Sequence, residues 1–592
     1  MEKKKIDHWE YAPNMEGLLF FACILDEMTF NYTLDSFKAS VHNIFSLIRE
    51  CIETIVDIQD ATIKEGALPP IVEEIKDVLK KDSIIIRVCE ESGLNLLIPQ
   101  IDINKDRQML KTTLEMFLSH QIISQYNFYI KNALSETVKI EKPQKILIEK
   151  LARLFVSQMK FMGYPNASIY KKTQDFFFSR DNIIHSVNDI DLFLSKFDFV
   201  KQKYTVCLFG NSLYDFVKDP LKDLGIDIND TFVPSKWKKA FIDYDNIKNK
   251  SKYILVEIEG YDEYDAMDNA IGKVTHYTSL YSFFHHKETF VYEESCSLVK
   301  RKNDGKCFKI RMPMAQIVAC RDERKWQASE LYKKNIQKIG MEHNSYLRFE
   351  KSILLHDSAL RSDHEENQFL NLFTAFEVLI PKATNSGKDR IVQISDILLP
   401  YLCHSHFLKL AESFGKDLYH WKSKLYNSVL AQIVEGSTED EKMCAFISLA
   451  KYQTLRDQIF KAAHDDNHVL LQYRLYKLNK RMSNVADVKS TYNSFIMRMR
   501  WHIARLYRTR NLIVHAGAHP AYLDMLLENI HAFYDTFMRE LIIDITEKGM
   551  LKLEYSYVLR QSRHDKYLSD LNALPNSTIL DESNFDAVLG LN

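Results

Sequence analysis

Glycine and proline are scarce in this chain, at 16 and 13 of 592 residues, about half the usual usage of each. That removes most helix breakers and predicts long helices with few tight turns. It also excludes a collagen-like chain. Net charge is nearly absent as well: 78 Lys and Arg against 80 Asp and Glu leave -2. No whole-protein polycation therefore draws the chain to nucleic acid, and any such partner must be met by a local patch. A hydrophobic fraction of 46% with 27% charged residues is that of an ordinary globular protein, and the length predicts roughly two to four domains.

Long apolar runs are missing too. Gly17 to Leu25 falls short of the ~20 residues that cross a bilayer, so no membrane partner is expected. The same stretch makes a poor signal peptide, because Glu10 and Glu16 precede it and Asp26-Glu27 stands where small residues would mark a cleavage site. A cytoplasmic location is expected. The nine cysteines (23, 51, 89, 207, 296, 307, 320, 403 and 444) are odd in number and never spaced Cys-x-x-Cys. Neither a disulfide framework nor a zinc ribbon is indicated. The Gly-rich phosphate loop, the dinucleotide fingerprint and His-Glu-x-x-His are absent, and no cofactor is expected.

The fold class read from the pattern is α+β: an N-terminal mixed α/β region, then a C-terminal all-α bundle. Residues 1 to about 80 have helical spacing, as in Ile44, Phe45, Ile48, Ile52 and Ile55. A hairpin is expected next, from Ser83–Val88 and Leu94–Ile98 around Glu90-Glu91-Ser92-Gly93. Helix returns from about 106 to 200. Tyr204–Phe209 and Tyr253–Ile258 read as strands, the second leading into a helix over Asp262–Phe284. A second hairpin is centred on Asn303-Asp304-Gly305 and resumes over Cys307–Met312. The N-terminal region thus spans 1–325, with a break near 200. Beyond it the pattern is helical, clearest over Glu366–Ile380 and Ala521–Ile545, with two or three helices between them and polar breaks at Thr384–Asp389 and Glu435–Asp440. The bundle is placed at 326–550 with a long insertion at about 382–490, and the tail 551–592 is expected to be only partly ordered.

One further absence draws the eye to the chemistry. Val488 to Leu523 contains no acidic side chain, yet holds Lys489, Arg498, Arg500, Arg505, Arg508 and Arg510. Within it lies Arg510-Asn511-Leu512-Ile513-Val514-His515, closely followed by Gly517. On a continuous helix Asn511 and His515 are four apart, so the amide can fix the imidazole's tautomer. Arg510 falls on the apolar stripe and needs an anion there; Glu377, beside the stripe of the 366–380 helix, is the candidate. Arg505 and Arg508 remain for solvent or phosphate. An imidazole that exchanges protons near neutral pH, beside arginines that stabilise an anionic phosphorane, is the minimum equipment for cleaving RNA without a metal. The nucleophile would be the substrate's 2′-hydroxyl, which DNA lacks.

These residues carry a resemblance. The run Leu506–Gly517 looks like the signature of the HEPN superfamily, an Arg followed four to six residues later by His, here with Asn directly after the Arg. The upstream run Phe369–Leu379 resembles the first core helix of the Apea-like branch, where alanine and glutamate end a similar apolar stretch, here Ala375 and Glu377. The resemblance covers about 340–550, and more faintly the strand-helix region Tyr253–Phe284, and implies a helical bundle acting as a metal-independent endoribonuclease of an anti-phage, abortive-infection system. It implies Arg510 and His515 as the catalytic pair with Asn511 beside them, a site formed across a homodimer, and RNA, transfer RNA among others, as substrate. The region 1–325 would then be sensor or regulator, binding a phage-derived trigger. The other reading is a non-catalytic RNA- or protein-binding module of the same bundle.

Each residue has a plainer role as well. Arg510 can be a structural ion pair, His515 a helix-terminal histidine favoured by the macrodipole, and the arginines a solvated face. Cys403-His404-Ser405-His406 and His285-His286 lack a fourth ligand nearby and read as packing or surface. Glu257 and Glu259 lack the lysine that completes a restriction-type nuclease pattern and read as structural. No metal site is expected.

Overall fold

The computed structural model describes the chain except for residues 1–3, 5, 11–14, 32, 34–36, 231–251, 293–296, 311–322, 363, 382–388, 518, 519, 521 and 592. Its contacts divide it into two compact units, Met1–Leu154 with Ala315–Asn592, and Phe155–Met314.

From the N-terminus come α1 (Glu16–Thr29), α2 (Ile44–Gln59), α3 (Leu68–Lys81), α4 (Ser83–Ser92), α5 (Arg107–Phe117), α6 (His120–Val138) and α7 (Lys145–Phe161). The hairpin expected over Ser83–Ile98 is not formed; α4 and a 3-10 turn, Leu94–Gln100, occupy it. Asp82 caps α4 by accepting from the backbone N–H of Ile84 at 2.9 Å and Ile85 at 3.2 Å. Gly93 ends it at φ +78°. The three consecutive isoleucines imitate a strand, but the cap and the left-handed glycine bracket a helix. Tyr126 seals the cap by donating its hydroxyl to Asp82 Oδ2 at 2.7 Å.

Residues 155–314 contain the mixed α/β part. After α8 (Asn166–Thr173) and α9 (Asp189–Leu194) comes a five-stranded sheet. Its strands are β1 (Gln202–Gly210), β2 (Ile226–Asn229), β3 (Lys252–Gly260), β4 (Ser297–Arg301) and β5 (Cys307–Ile310), with the short α10 (Lys218–Asp223) before β2 and α11 (Glu263–Phe284) after β3. The order is β2-β3-β1-β4-β5, every pair antiparallel. The β1–β3 register runs from Gln202 opposite Gly260 to Gly210 opposite Lys252. Val206, Leu208, Ile254, Val256 and Val299 form one core with Ala266, Met267, Ala270 and Val274 of α11. The expected strands and the β4–β5 hairpin are present, with Gly305 at φ +69° in the turn. Met312, the expected end of that hairpin, lies outside the described residues.

The rest is helical: α12 (Lys325–Ile336), α13 (His343–Leu360), α14 (Glu365–Leu379), α15 (Arg390–Cys403), α16 (His406–Gln432), α17 (Glu439–Ser448), α18 (Gln453–Asp465), α19 (Val469–Met482), α20 (Val485–Asn511), α21 (Leu523–Thr546), α22 (Leu553–Ala573) and α23 (Phe585–Leu589). Among the described residues six helices therefore stand between α14 and α21, where two or three were expected. Most of the polar break expected over Thr384–Asp389 lies outside the described residues. The tail is largely helical, and Leu553, Tyr557, Leu571, Phe585 and Leu589 join the same core as Phe369, Leu372 and Phe376 of α14. A sheet of limited extent followed by a long all-α region is thus the architecture. Helices, with no strand among the described residues, fill 1–154 and share a compact unit with 315–592.

Among the described residues no helix is long and apolar enough to cross a membrane.

Candidate functional site

The acid-free segment takes up α20 from its first turn onward, and the helix passes into one π turn, Leu512–Ala516, closed by Gly517 at φ +60°. A π turn inside or at the end of an α-helix widens it by bonding residue i to i+5. In an α-helix Arg510 and His515 would stand about 140° apart. Spending more residues per turn reduces that separation, so the turn carries His515 towards the Arg510 side of the helix. His515 is exposed, and among the described residues no hydrogen bond or ion pair engages it.

Arg510 lies between stripe and solvent. Its Nη2 is 3.5 Å from Glu377 Oε2 on α14, with side chains 27% and 23% exposed. Its Nη1 donates to Asn511 Oδ1 at 3.1 Å. The Asn511 amide is buried and oriented by Arg510. The expected hydrogen bond between Asn511 and His515 is not formed; the amide oxygen accepts from Arg510 instead.

Arg505 and Arg508, expected to face solvent or phosphate, are instead buried, at 3% and 1% exposure. Helical phase places both on the side of α20 that the N-terminal helices cover. Arg505 Nε donates to both oxygens of Glu50 on α2, at 3.1 and 3.2 Å. Its Nη2 bonds Glu74 of α3, and Arg508 Nη2 also meets Glu50. Arg508 Nη2 donates to the Tyr522 hydroxyl at 3.1 Å. Two guanidiniums and two carboxylates thus balance in charge, as buried ions require. Nearby, His42 Nε2 is 3.2 Å from Glu50 Oε2, and the His42 ring meets Tyr522 edge to face at 4.6 Å. Burial, with Arg505 and Arg508 close by, pushes the His42 imidazole well below its usual range. Burial likewise pushes His502 down to about 3, so both are neutral rings wedged beside the ion network. Trp501 Nε1 adds a bond to Glu73 Oε2 at 3.2 Å.

Two further cations of this segment, Arg498 and Arg500, are exposed. Lys489 donates to the Leu574 carbonyl at 2.8 Å. Sequence reasoning had no means of finding Glu50, Glu74 or His42, whose spacing to α20 carries no pattern. The only local hint was that a guanidinium at a buried helical phase needs an anion.

The Cys403 to His406 run is packing. Cys403 and His406 are buried, and the His406 ring stacks on Phe495 at 3.9 Å, its pKa pushed by burial down to about 3. Glu257 pairs with Lys302 at 2.5 Å across the sheet, a surface ion pair.

The arrangement supplies an accessible imidazole on a widened turn and a half-buried guanidinium held by a carboxylate and an amide. It can move a proton at His515 and place positive charge at Arg510. No family model, no curated protein and no solved structure matches the chain.

Proposed function

We propose that the chain is a metal-independent endoribonuclease of HEPN type, serving abortive infection against phage. The observation that carries the reading is the exposed His515 on a π turn directly after the anchored Arg510-Asn511 pair. In this scheme His515 takes the proton of a substrate 2′-hydroxyl. The resulting oxygen attacks the adjacent phosphorus, the bond to the 5′ oxygen breaks, and a 2′,3′-cyclic phosphate and a 5′-hydroxyl end form. Arg510 neutralises the phosphorane, exchanging its 3.5 Å contact with Glu377 for the phosphate. The site is completed in a homodimer, where the second copy's His515 protonates the leaving oxygen. RNA, transfer RNA among the candidates, is the substrate, and the N-terminal part restrains the enzyme until a phage-derived trigger arrives. The setting is the cytoplasm. Arg505 and Arg508 have no part in this scheme.

A second reading is favoured by the engagement of the Arg510 donors with Glu377 and Asn511: a non-catalytic module that binds RNA or protein. One experiment separates the two. Wild type and His515→Ala are incubated with total RNA in EDTA, with and without extract of phage-infected cells, and folding is checked by melting in the same buffer. Fragments ending in 2′,3′-cyclic phosphate from wild type alone support the enzyme. RNA left intact by both proteins in every condition, with binding retained, refutes it and leaves the module.

A further inference from the structure

Apart from the α20 segment, the described residues bring together one group of side chains able to hold a metal ion: His356 of α13 with His531 and Asp535 of α21. The two histidines present Nε2 to Nε2 at 3.3 Å. Asp535 Oδ2 lies 3.3 Å from His531 Nδ1, and its Oδ1 lies 4.0 Å from His356 Nε2. His531 and Asp535 are four apart on α21, so one helical face presents both.

Two imidazole nitrogens bound to one tetrahedral zinc ion at about 2.0–2.1 Å stand roughly 3.3–3.4 Å apart. The observed separation of the two nitrogens matches that bite. The rings are also held in place. His356 stacks on Tyr534 at 4.8 Å and 11°, and on His531 at 5.3 Å and 29°. Tyr534 is itself tied through its hydroxyl to Ser352 Oγ at 2.9 Å. His531 is 8% exposed while Asp535 is 42% exposed, so the group has a dry side and an open side by which an ion and a water could enter.

We infer that His356, His531 and Asp535 form a binding site for a divalent transition metal, zinc by its geometry, with solvent in the remaining position. Imidazole and carboxylate suit zinc over magnesium or calcium, which want all-oxygen shells. The ion would rivet α13 to α21, the helices on either side of α14 in the packing, and is independent of how the α20 segment is read. No chemistry is assigned to it.

The full-length protein, stripped with a chelator and shown to be folded by circular dichroism, is titrated with Zn²⁺ against a chromophoric competitor, and separately with Co²⁺. One equivalent per chain is expected, with visible d–d bands of tetrahedral intensity for Co²⁺ and a rise in melting temperature with Zn²⁺. His356→Gln and Asp535→Asn should each weaken binding by roughly a hundred-fold or more, since even outer-shell losses cost about ten- to a hundred-fold. Both sites are partly exposed, so the variants should melt as wild type does in chelator. Binding equal in wild type and variants, or no binding in wild type, overturns the proposal.

Discussion

Glu50 accepts the Nε of Arg505 on both carboxylate oxygens, at 3.1 and 3.2 Å, joining α2 to the helix that carries the candidate motif. The partners are separated by 455 positions, and Arg508 shares the same carboxylate. A buried anion with two buried cations is an arrangement whose members cannot be removed singly at low cost.

Glu50→Ala should therefore destabilise the protein by about 3–5 kcal/mol, because it takes a carboxylate from two guanidiniums at 3% and 1% exposure and leaves Glu74 to Arg505. Urea unfolding of wild type and variant measures this. A loss under about 1 kcal/mol would mean that water reaches the cluster.

Arg510 is placed differently. Its ion pair with Glu377 is long and about a quarter exposed, so Arg510→Ala should cost only about 1 kcal/mol or less. His515→Ala, on an exposed turn, should stay within about 0.5 kcal/mol. Loss of RNA cleavage in either variant with an unchanged melting curve would then report on chemistry. Unfolding of Arg510→Ala would show that the pair is structural.

Three buried rings make stability sensitive to acid. His406 and His502 are held down to about 3, and His42 well below 6.5. In the unfolded chain each takes up a proton near 6.5 that the folded chain refuses. The unfolded state therefore binds more protons below that pH, and stability falls as pH drops from 6.5 towards 3. The slope is about 1.4 kcal/mol per pH unit for each ring within its window. His406→Phe keeps the stack on Phe495 and should remove one ring's share of the slope, read from denaturation at pH 4 to 7. Equal slopes in both proteins would contradict a neutral His406.

Gly517 closes the turn that presents His515, at φ +60° with nothing within 4 Å of an added Cβ. Gly517→Ala meets no clash, only the left-handed backbone cost of about 1–2 kcal/mol. It should lower the melting temperature modestly, and cleavage should fall more than stability if the π turn sets the imidazole's position. Unchanged melting would mean the turn relaxes freely.

Where local periodicity and packing agree, the sequence was readable. The stripe of Phe369, Leu372, Phe373 and Phe376 gave α14 within a residue or so at each end, and the β-branched run of 253–258 gave β3. Ile84 to Ile86 misled, because a buried helix and a buried strand look alike over so short an apolar run. The candidate site was legible only in what one helix can say about itself. Arg510 and Glu377 were paired through two stripes, whereas the burial of Arg505 and Arg508 depends on carboxylates hundreds of residues upstream that no spacing rule reaches. His356 is hidden likewise, on another helix far upstream of the His531 and Asp535 pair that share one face of α21.

The reach from Glu50 to Arg505 also sets an order of events on the ribosome. At about 5–20 residues per second, α2 and α3 emerge roughly 20 to 90 s before the arginines they bind. The acidic half of the clamp is thus already made when the basic helix leaves the tunnel, and Arg505 and Arg508 can find their carboxylates without waiting. A chain that begins after α3 would release the same helix with its two most buried charges unanswered.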